Sequence, residues 1–295
     1  MRSFALLHGA KNVMQNISTC CEGQGTRLHN SLPEYVFSLN MPADNAAGAA
    51  GGAAGGAANE AAGVATNRAV GKTADRYAGV SVDIYTTANI TFDTTQGSEV
   101  VVAVRSTFPY FTDPTTSVMV SFVSSSVLSA VFEIALRTPA WVATPTVSIA
   151  LNGQGGFAVG TRGSYVSFHR EWRTGDTLTF ELPPALRATK YVGLNQVAGT
   201  TRWAYELGPV LLTGRPTTPT AWDNATDCLH VRGVDGSEPA SWLVRQPHTA
   251  NAPLRYTPRA GKGHGGQGQG QAAAIEFVPY FDVGGERMTT YPCYS

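Results

Sequence analysis

Apolar and polar residues alternate along much of the chain after about residue 79. In residues 118–122 and 132–136 a large apolar side chain recurs at every second position, which is the period of a half-buried strand. Further short runs of this kind, each bounded by turn residues, continue to about residue 281 without intervening helical patterns. Strands at such spacings predict antiparallel β-sandwiches.

Two turns punctuate this β pattern. Asn152-Gly153 follows the apolar run at residues 147–151 and suits a tight turn with positive φ. The segment 173–176, Arg-Thr-Gly-Asp, separates residues 165–172 from residues 177–182. The spacing predicts that these two runs form a hairpin, in which Asp176 shapes the turn.

The pattern before residue 79 is different. Residues 18–39 are predicted to form a loop that leads into one helix, which Pro33 delays or kinks. Apolar side chains recur there in steps of three and four residues, at Leu28, Leu32, Tyr35, Val36 and Leu39. Residues 41–78 are mostly Ala, Gly and Asn, and residues 260–272 are rich in Gly and Gln. Neither stretch can bury an apolar face, so both are predicted to be disordered.

Composition narrows the function classes. Lys+Arg and Asp+Glu residues number 21 each, so the chain has no net positive charge to attract the phosphates of a nucleic acid. We therefore expect no nucleic-acid partner. No apolar run reaches the roughly 18 residues of a membrane span, so we expect no membrane partner. The apolar run within residues 1–8 is too short for a convincing signal peptide, so the localisation stays unknown.

The cysteines are the candidate metal-binding or nucleophilic residues of this chain. Cys20 and Cys21 are adjacent, and a disulfide between neighbours would be strained, so the pair is either free or bound to a ligand. Such a pair can bind a metal or act as a nucleophile, or it can be two small buried apolar residues. Cys228 and Cys293 are far apart, and four scattered cysteines do not predict a disulfide framework.

Other candidate residues favour structural roles. The six histidines show no metal-ligand spacing and are expected on the surface or in loops. Four tryptophans at strand positions could stack on sugar rings, but core packing is the commoner role of such aromatic residues. They are Trp141, Trp172, Trp203 and Trp242.

Several strings of residues resemble one known family in order along the chain. They are Thr-Cys-Cys-Glu-Gly-Gln-Gly-Thr-Arg at 19–27, Leu-Pro-Glu-Tyr-Val-Phe-Ser at 32–38, Leu-Arg-Thr-Pro-Ala-Trp at 136–141, Arg-Glu-Trp-Arg-Thr-Gly-Asp at 170–176 and Phe-Val-Pro-Tyr-Phe at 277–281. Together they resemble the C-terminal part of glycoside hydrolase family 127, the β-L-arabinofuranosidase family. This part includes the end of the catalytic barrel and the β-sandwich domains.

The resemblance implies a mainly β fold, with two antiparallel β-sandwich domains preceded by a short helical remnant of an (α/α)6 barrel. The implied domains are a barrel remnant at 1–40, a disordered insertion at 41–78, a first sandwich at 79–185 and a second sandwich at 186–295. The disordered loop near 260–272 falls inside the second sandwich.

The resemblance also implies a function, the retaining hydrolysis of terminal arabinofuranosides in a carbohydrate partner. Cys20 would be the catalytic nucleophile, and Cys20 and Cys21 would be the zinc ligands. Zinc favours thiolate sulfur, and a thiolate is a strong nucleophile. In the family the acid/base glutamate and the other zinc ligands precede the cysteine pair, and only 19 residues precede Cys20 here. We therefore expect a partial glycosidase that is inactive alone, and whether the chain is itself an enzyme stays open. The alternative is a non-catalytic carbohydrate-binding or barrel-supporting module.

Overall fold

The computed structural model describes residues 35–42, 66–68, 76–194, 196–218, 221–224, 226–249, 254–259, 275–283 and 288–295. These residues form mostly strands, with a one-turn helix α1 (Pro239–Trp242) and a 3-10 helix (Tyr280–Asp282). The strands are β1 (Phe37–Asn40), β2 (Thr66–Arg68), β3 (Gly79–Val82), β4 (Ala88–Asp93), β5 (Glu99–Arg105), β6 (Thr115–Phe122), β7 (Ser129–Arg137), β8 (Thr146–Leu151), β9 (Gln154–Thr161), β10 (Tyr165–Arg173), β11 (Thr177–Glu181), β12 (Leu186–Lys190), β13 (Thr201–Leu207), β14 (Val210–Pro216), β15 (Trp222–Asp223), β16 (Cys228–Val231), β17 (Leu243–Arg245), β18 (Tyr256–Pro258), β19 (Ile275–Pro279) and β20 (Cys293–Tyr294). Neither described helix is long and apolar enough to span a bilayer.

The described strands fall into two compact units, with the change between Pro183 and Pro184. The first unit contains a four-stranded sheet in the order β1-β3-β7-β10 and a seven-stranded sheet in the order β2-β4-β5-β6-β11-β8-β9. The second unit contains a nine-stranded sheet in the order β15-β16-β20-β13-β14-β19-β18-β17, with β12 also paired to β13.

The first unit is a sandwich, because its two sheets share one apolar core. Burial alternates along β5 and β6, as the sequence predicts for strands with one face in a core. The rings of Phe92 on β4 and Phe132 on β7 meet edge to face, with centroids 5.8 Å apart. Trp172 on β10 is fully buried, and its Nε1 donates a hydrogen bond to the Phe132 carbonyl at 3.1 Å.

Several sequence predictions are confirmed. The chain is mainly β, and most strand pairs are antiparallel, although β2/β4, β3/β7 and β16/β20 are parallel. Asn152 and Gly153 both have positive φ, at 51° and 78°, as the predicted tight turn between β8 and β9 requires. Among the tryptophans, Trp172 and Trp242 are buried in cores, and Trp141 and Trp203 are half-buried.

The helix predicted to reach residue 39 is wrong at its C-terminal end. Residues Phe37–Asn40 form β1, which pairs antiparallel with β3. Phe37 is buried in the core of the first unit while Ser38 is exposed, so this segment follows a period of two. The rest of the predicted barrel remnant at 1–40 lies outside the described residues, apart from residues 35 and 36.

The predicted hairpin of residues 165–172 and 177–182 is also wrong. β10 pairs with β7 in one sheet, whereas β11 pairs with β6 and β8 in the other sheet. The chain therefore crosses between the sheets at residues 174–176. Asp176 does shape this turn, because its side chain accepts hydrogen bonds from the Arg173 backbone N–H at 3.0 Å and Asn152 Nδ2 at 2.8 Å.

The second unit was predicted as another pair of sheets. Its described strands form one nine-stranded sheet, in which eight strands follow a single path and β12 pairs with β13 beside it. The core includes four aromatic rings, with neighbouring centroids 5.1 Å to 6.1 Å apart. They belong to Tyr205, Trp242, Phe277 and Tyr294.

The two low-complexity segments fall largely outside the described residues. In the predicted insertion at 41–78, Thr66–Arg68 forms β2, which pairs with β4 in parallel. Residues 76–78 are described as well, and the backbone of Tyr77 forms an isolated parallel β-bridge with Thr94. The predicted loop at 260–272 is not among the described residues.

We predict that Trp172→Ala lowers the free energy of unfolding of the first unit by about 3–5 kcal/mol. The substitution removes the largest fully buried side chain and its hydrogen bond to the Phe132 carbonyl. The matched control is His169→Ala, an exposed residue on the same strand, which should change stability by less than about 0.5 kcal/mol. Urea unfolding followed by far-ultraviolet circular dichroism measures both, and equal losses in the two variants would contradict the shared core.

Candidate thiol and metal centre

Cys20 and Cys21, the predicted nucleophile and zinc ligands, lie outside the described residues. Their roles therefore stay predictions. The described residues bring together the other two cysteines instead, in the second unit, where the sequence pattern predicted no site.

The pairing of three strands builds this centre. β20 pairs antiparallel with β13, which places Cys293 opposite Arg202. β20 also pairs in parallel with β16, which places Cys293 opposite His230. Cys228 lies two residues before His230 on β16, so both side chains point to the same face of the sheet. Four groups from three strands thus meet on one face.

Cys228 and Cys293 form a disulfide, with Cα atoms 6.2 Å apart. The expectation that the cysteines form no disulfide is therefore wrong for this pair. The two residues are 65 positions apart, and only the pairing of β16 with β20 brings them together. The spacing of the cysteines in the sequence does not predict that pairing.

Arg202 contributes a positive charge beside the sulfurs. Its side chain is buried, with 3% exposed. Its Nε donates a hydrogen bond to Cys293 Sγ at 3.3 Å, and its Nη2 donates to Cys228 Sγ at 3.8 Å. Burial lowers the pKa of the Arg202 guanidinium, but an arginine remains charged in proteins because its ordinary pKa is so high. The sulfurs therefore lie in a positive local field.

His230 lies on the other side of Cys293 and is held in place by two partners. Its Nε2 lies 2.9 Å from Thr226 Oγ1 and 3.6 Å from Asp223 Oδ2. Thr226 Oγ1 also donates to Asp223 Oδ2 at 2.8 Å. Burial lowers the pKa of the imidazole, and the Asp223 carboxylate opposes this effect. The expectation of a surface or loop position is wrong for His230, which is a half-buried strand residue.

This arrangement supports two kinds of chemistry. As a disulfide, the two sulfurs join β16 to β20 covalently. When reduced, the sulfurs and a ring nitrogen of His230 become three possible metal ligands, since these atoms all lie within 4.8 Å of one another. The sequence signal for the group is Cys-Leu-His at 228–230, which places two ligand-type side chains on one face of a strand.

A second polar cluster lies on the first unit, around Asp83. Tyr165 Oη donates a hydrogen bond to Asp83 Oδ1 at 2.6 Å, and Ser38 Oγ donates to Asp83 Oδ2. The bond to Asp83 raises the pKa of Tyr165. Arg137 Nη1 donates to the Asp83 backbone carbonyl at 3.5 Å. Both carboxylate oxygens are thus engaged within the protein, so the cluster ties β1 and β10 to the end of β3.

Comparison with known proteins supports the predicted resemblance. Residues 79–184 match the family described as "Beta-L-arabinofuranosidase, GH127 middle domain". The predicted resemblance to family 127 is therefore confirmed for this segment of the chain. No curated protein matches the chain.

Solved structures extend the likeness in fold. One is a GH127 β-L-arabinofuranosidase, Ara127N-Se, from Geobacillus stearothermophilus T6, with 15% identity, a TM-score of 0.53, and coverage of 94% of this chain and 37% of that chain. Another is described as a glycoside hydrolase, with 14% identity, a TM-score of 0.50, and coverage of 74% of this chain and 36% of that chain. At these identities the likeness shows the fold alone. The chain spans little more than a third of the length of each.

We predict that reduction of the Cys228–Cys293 disulfide lowers the free energy of unfolding of the second unit by about 4 kcal/mol, because the bridge closes a 65-residue loop. Hydrogen exchange of peptides from β14 and β19 should accelerate, while exchange in β5 and β6 of the first unit should not. Cys228→Ser without reductant should reproduce the effect. Equal exchange in oxidised and reduced protein would contradict a stabilising bridge.

Proposed function

We propose that the chain is the part of a glycosidase that contains its β-sheet domains. The glycosidase hydrolyses terminal arabinofuranosides in a glycan with retention of configuration. The observation that carries this proposal is the match of residues 79–184 to the middle domain of the β-L-arabinofuranosidase family. The described residues of that segment form a two-sheet sandwich with one core. The fold likeness to a solved GH127 β-L-arabinofuranosidase supports the same proposal.

In this proposal Cys20 is the nucleophile, and both Cys20 and Cys21 would bind zinc. The string Thr-Cys-Cys-Glu-Gly at 19–23 supports these roles, because it resembles the end of the family's catalytic domain. Bound zinc would stabilise the thiolate form of these cysteines at neutral pH, and the thiolate is the nucleophilic form of Cys20. The thiolate then takes the place of the carboxylate nucleophile that most retaining glycosidases use.

Retention requires a second group. Attack of the Cys20 thiolate on the anomeric carbon breaks the glycosidic bond, and a carboxylic acid must protonate the departing oxygen. The same carboxylate then removes a proton from the water that releases the sugar from sulfur. In the family architecture a glutamate of the barrel supplies this carboxylate. Glu22 and Glu34, near the cysteine pair, match no motif for that role.

A supporting role for the sandwich is the second candidate, and the Asp83 cluster favours it. Tyr165 has 52% of its surface exposed, and its ring could present a flat face to a sugar. Its hydroxyl, however, already donates to Asp83, and the other carboxylate oxygen accepts from Ser38. A cluster whose groups satisfy one another fixes strand geometry, so it favours support of a catalytic barrel over direct sugar binding.

Zinc content and sugar release test the proposal together. Tested together with a family barrel that supplies the glutamate, the protein should contain about one zinc per active site and release the aglycone from an aryl β-L-arabinofuranoside. Cys20→Ser should lower kcat by about 10³-fold or more, since it removes the nucleophile. Cys21→Ser should lower both the zinc content and the rate. Thr19→Ser, a conservative change at the preceding position, is the matched control and should retain both.

Two results would contradict the catalytic proposal. One is a Cys20→Ser variant that hydrolyses the substrate at the parent rate. The other is protein that, tested with that barrel, binds an arabinofuranosyl glycan with neither zinc nor sugar release, which would favour the non-catalytic module.

A further inference from the structure

We propose that Cys228, His230 and Cys293 form a binding site for one copper(I) ion when their disulfide is reduced. The covalent bridge and the bound ion are then alternative states of the same two sulfurs. This site is separate from the proposed zinc position at Cys20 and Cys21, and it does not rest on the proposed glycosidase function.

The strand register supplies the geometry. Cys293 and His230 are direct neighbours across the parallel pair of β20 and β16, and Cys228 shares the face of His230. The three ligand atoms lie within 4.8 Å of one another. Metal–sulfur and metal–nitrogen bonds of about 2.0–2.3 Å place ligand atoms about 3.5–4 Å apart. Small rotations of the three side chains reach that spacing without a change of strand pairing.

The surroundings of His230 resemble those of metal-bound histidines. Such residues commonly bond through one ring nitrogen to a carboxylate or another polar oxygen, which fixes the orientation of the ring. Thr226 Oγ1 lies 2.9 Å from His230 Nε2 and donates to the Asp223 carboxylate. The imidazole is thereby held beside Cys293 before any ion arrives.

The type and number of ligands select the ion. The two sulfurs are buried and the imidazole is half-buried, so the group offers two soft ligands and one imidazole ligand. Thiolate and imidazole ligands suit copper(I), which accepts three ligands. Zinc prefers four, and this group offers three.

The change between the two states balances in electrons and protons. A dithiol reductant supplies two electrons and two protons, is itself oxidised to a disulfide, and leaves Cys228 and Cys293 as thiols. Copper(I) binding then forms two copper–sulfur bonds and releases both thiol protons. The guanidinium of Arg202 stabilises the thiolates, because it already donates to both sulfurs.

The test uses the full chain with Cys20→Ser and Cys21→Ser, so that any metal belongs to the second unit. Protein reduced with a dithiol, freed of reductant and kept anaerobic is titrated with copper(I) in competition with a chromogenic copper(I) chelator. We expect one copper(I) per chain after reduction and none before it. X-ray absorption at the copper edge should show two sulfur ligands and one nitrogen ligand.

The variant His230→Gln keeps the disulfide and so preserves the fold before reduction. It should weaken copper(I) binding at least about 10-fold and remove the nitrogen ligand from the spectrum. His169→Gln, at an exposed histidine on β10 of the first unit, is the matched control and should bind copper(I) as the parent does.

Several outcomes would overturn the proposal. They are copper(I) binding that is equal in oxidised and reduced protein, an unchanged affinity in His230→Gln, and tighter binding of zinc than of copper(I). A further contradicting outcome is loss of the aromatic near-ultraviolet circular dichroism signal on reduction, before copper is added. This loss would show that the reduced protein does not hold the three ligands together.

Discussion

The position of β20 between β13 and β16 is the constraint on which the second unit's chemistry depends. This two-residue strand joins groups that are far apart in sequence, since Cys293 pairs with Arg202 on one side and with His230 on the other. The disulfide to Cys228 reinforces the same arrangement covalently. A buried guanidinium is costly without partners, and here the two sulfurs accept its hydrogen bonds. The strand pairing, the bridge and the buried charge therefore stabilise one another.

The first unit depends on a different interaction, the packing of two sheets over one core. Rings such as Phe92 and Phe132 meet across the sheets, and Trp172 fills the interior beside them. On the outer side, Asp83 binds hydroxyls of Ser38 and Tyr165, which fixes the edges of the four-stranded sheet. The result is a sandwich in which both oxygens of the Asp83 carboxylate accept hydrogen bonds from within the protein.

Much of the β content follows from the sequence because a period of two leaves few alternatives. Val118 and Val120 are buried in β6, and the turn at Asn152-Gly153 adopts the positive φ that its residue types favour. The resemblance to family 127 that the sequence strings indicated is also confirmed for residues 79–184, which match the family's middle domain. Local pattern and motif were sufficient for these predictions.

Features that depend on distant partners could not be predicted in the same way. Tyr35, Val36 and Leu39 fit a helical period, but both Val36 and Phe37 are core residues, and pairing with β3 selects a strand. Arg173 to Asp176 has the composition of a hairpin turn, yet composition does not specify which sheet receives each strand. His230 and the two distant cysteines likewise become a group only through β20. Tertiary pairing, rather than local preference, decides each of these cases.

We assign the four cysteines to two chemically separate pairs, a vicinal pair at 20–21 and a sheet pair at 228 and 293. Peptide mapping by mass spectrometry is the direct test, with alkylation of free thiols before digestion without reductant. We expect one cross-linked species that joins the peptides of Cys228 and Cys293, with neither Cys20 nor Cys21 attached to it. A disulfide between either member of the vicinal pair and Cys228 or Cys293 would contradict this assignment.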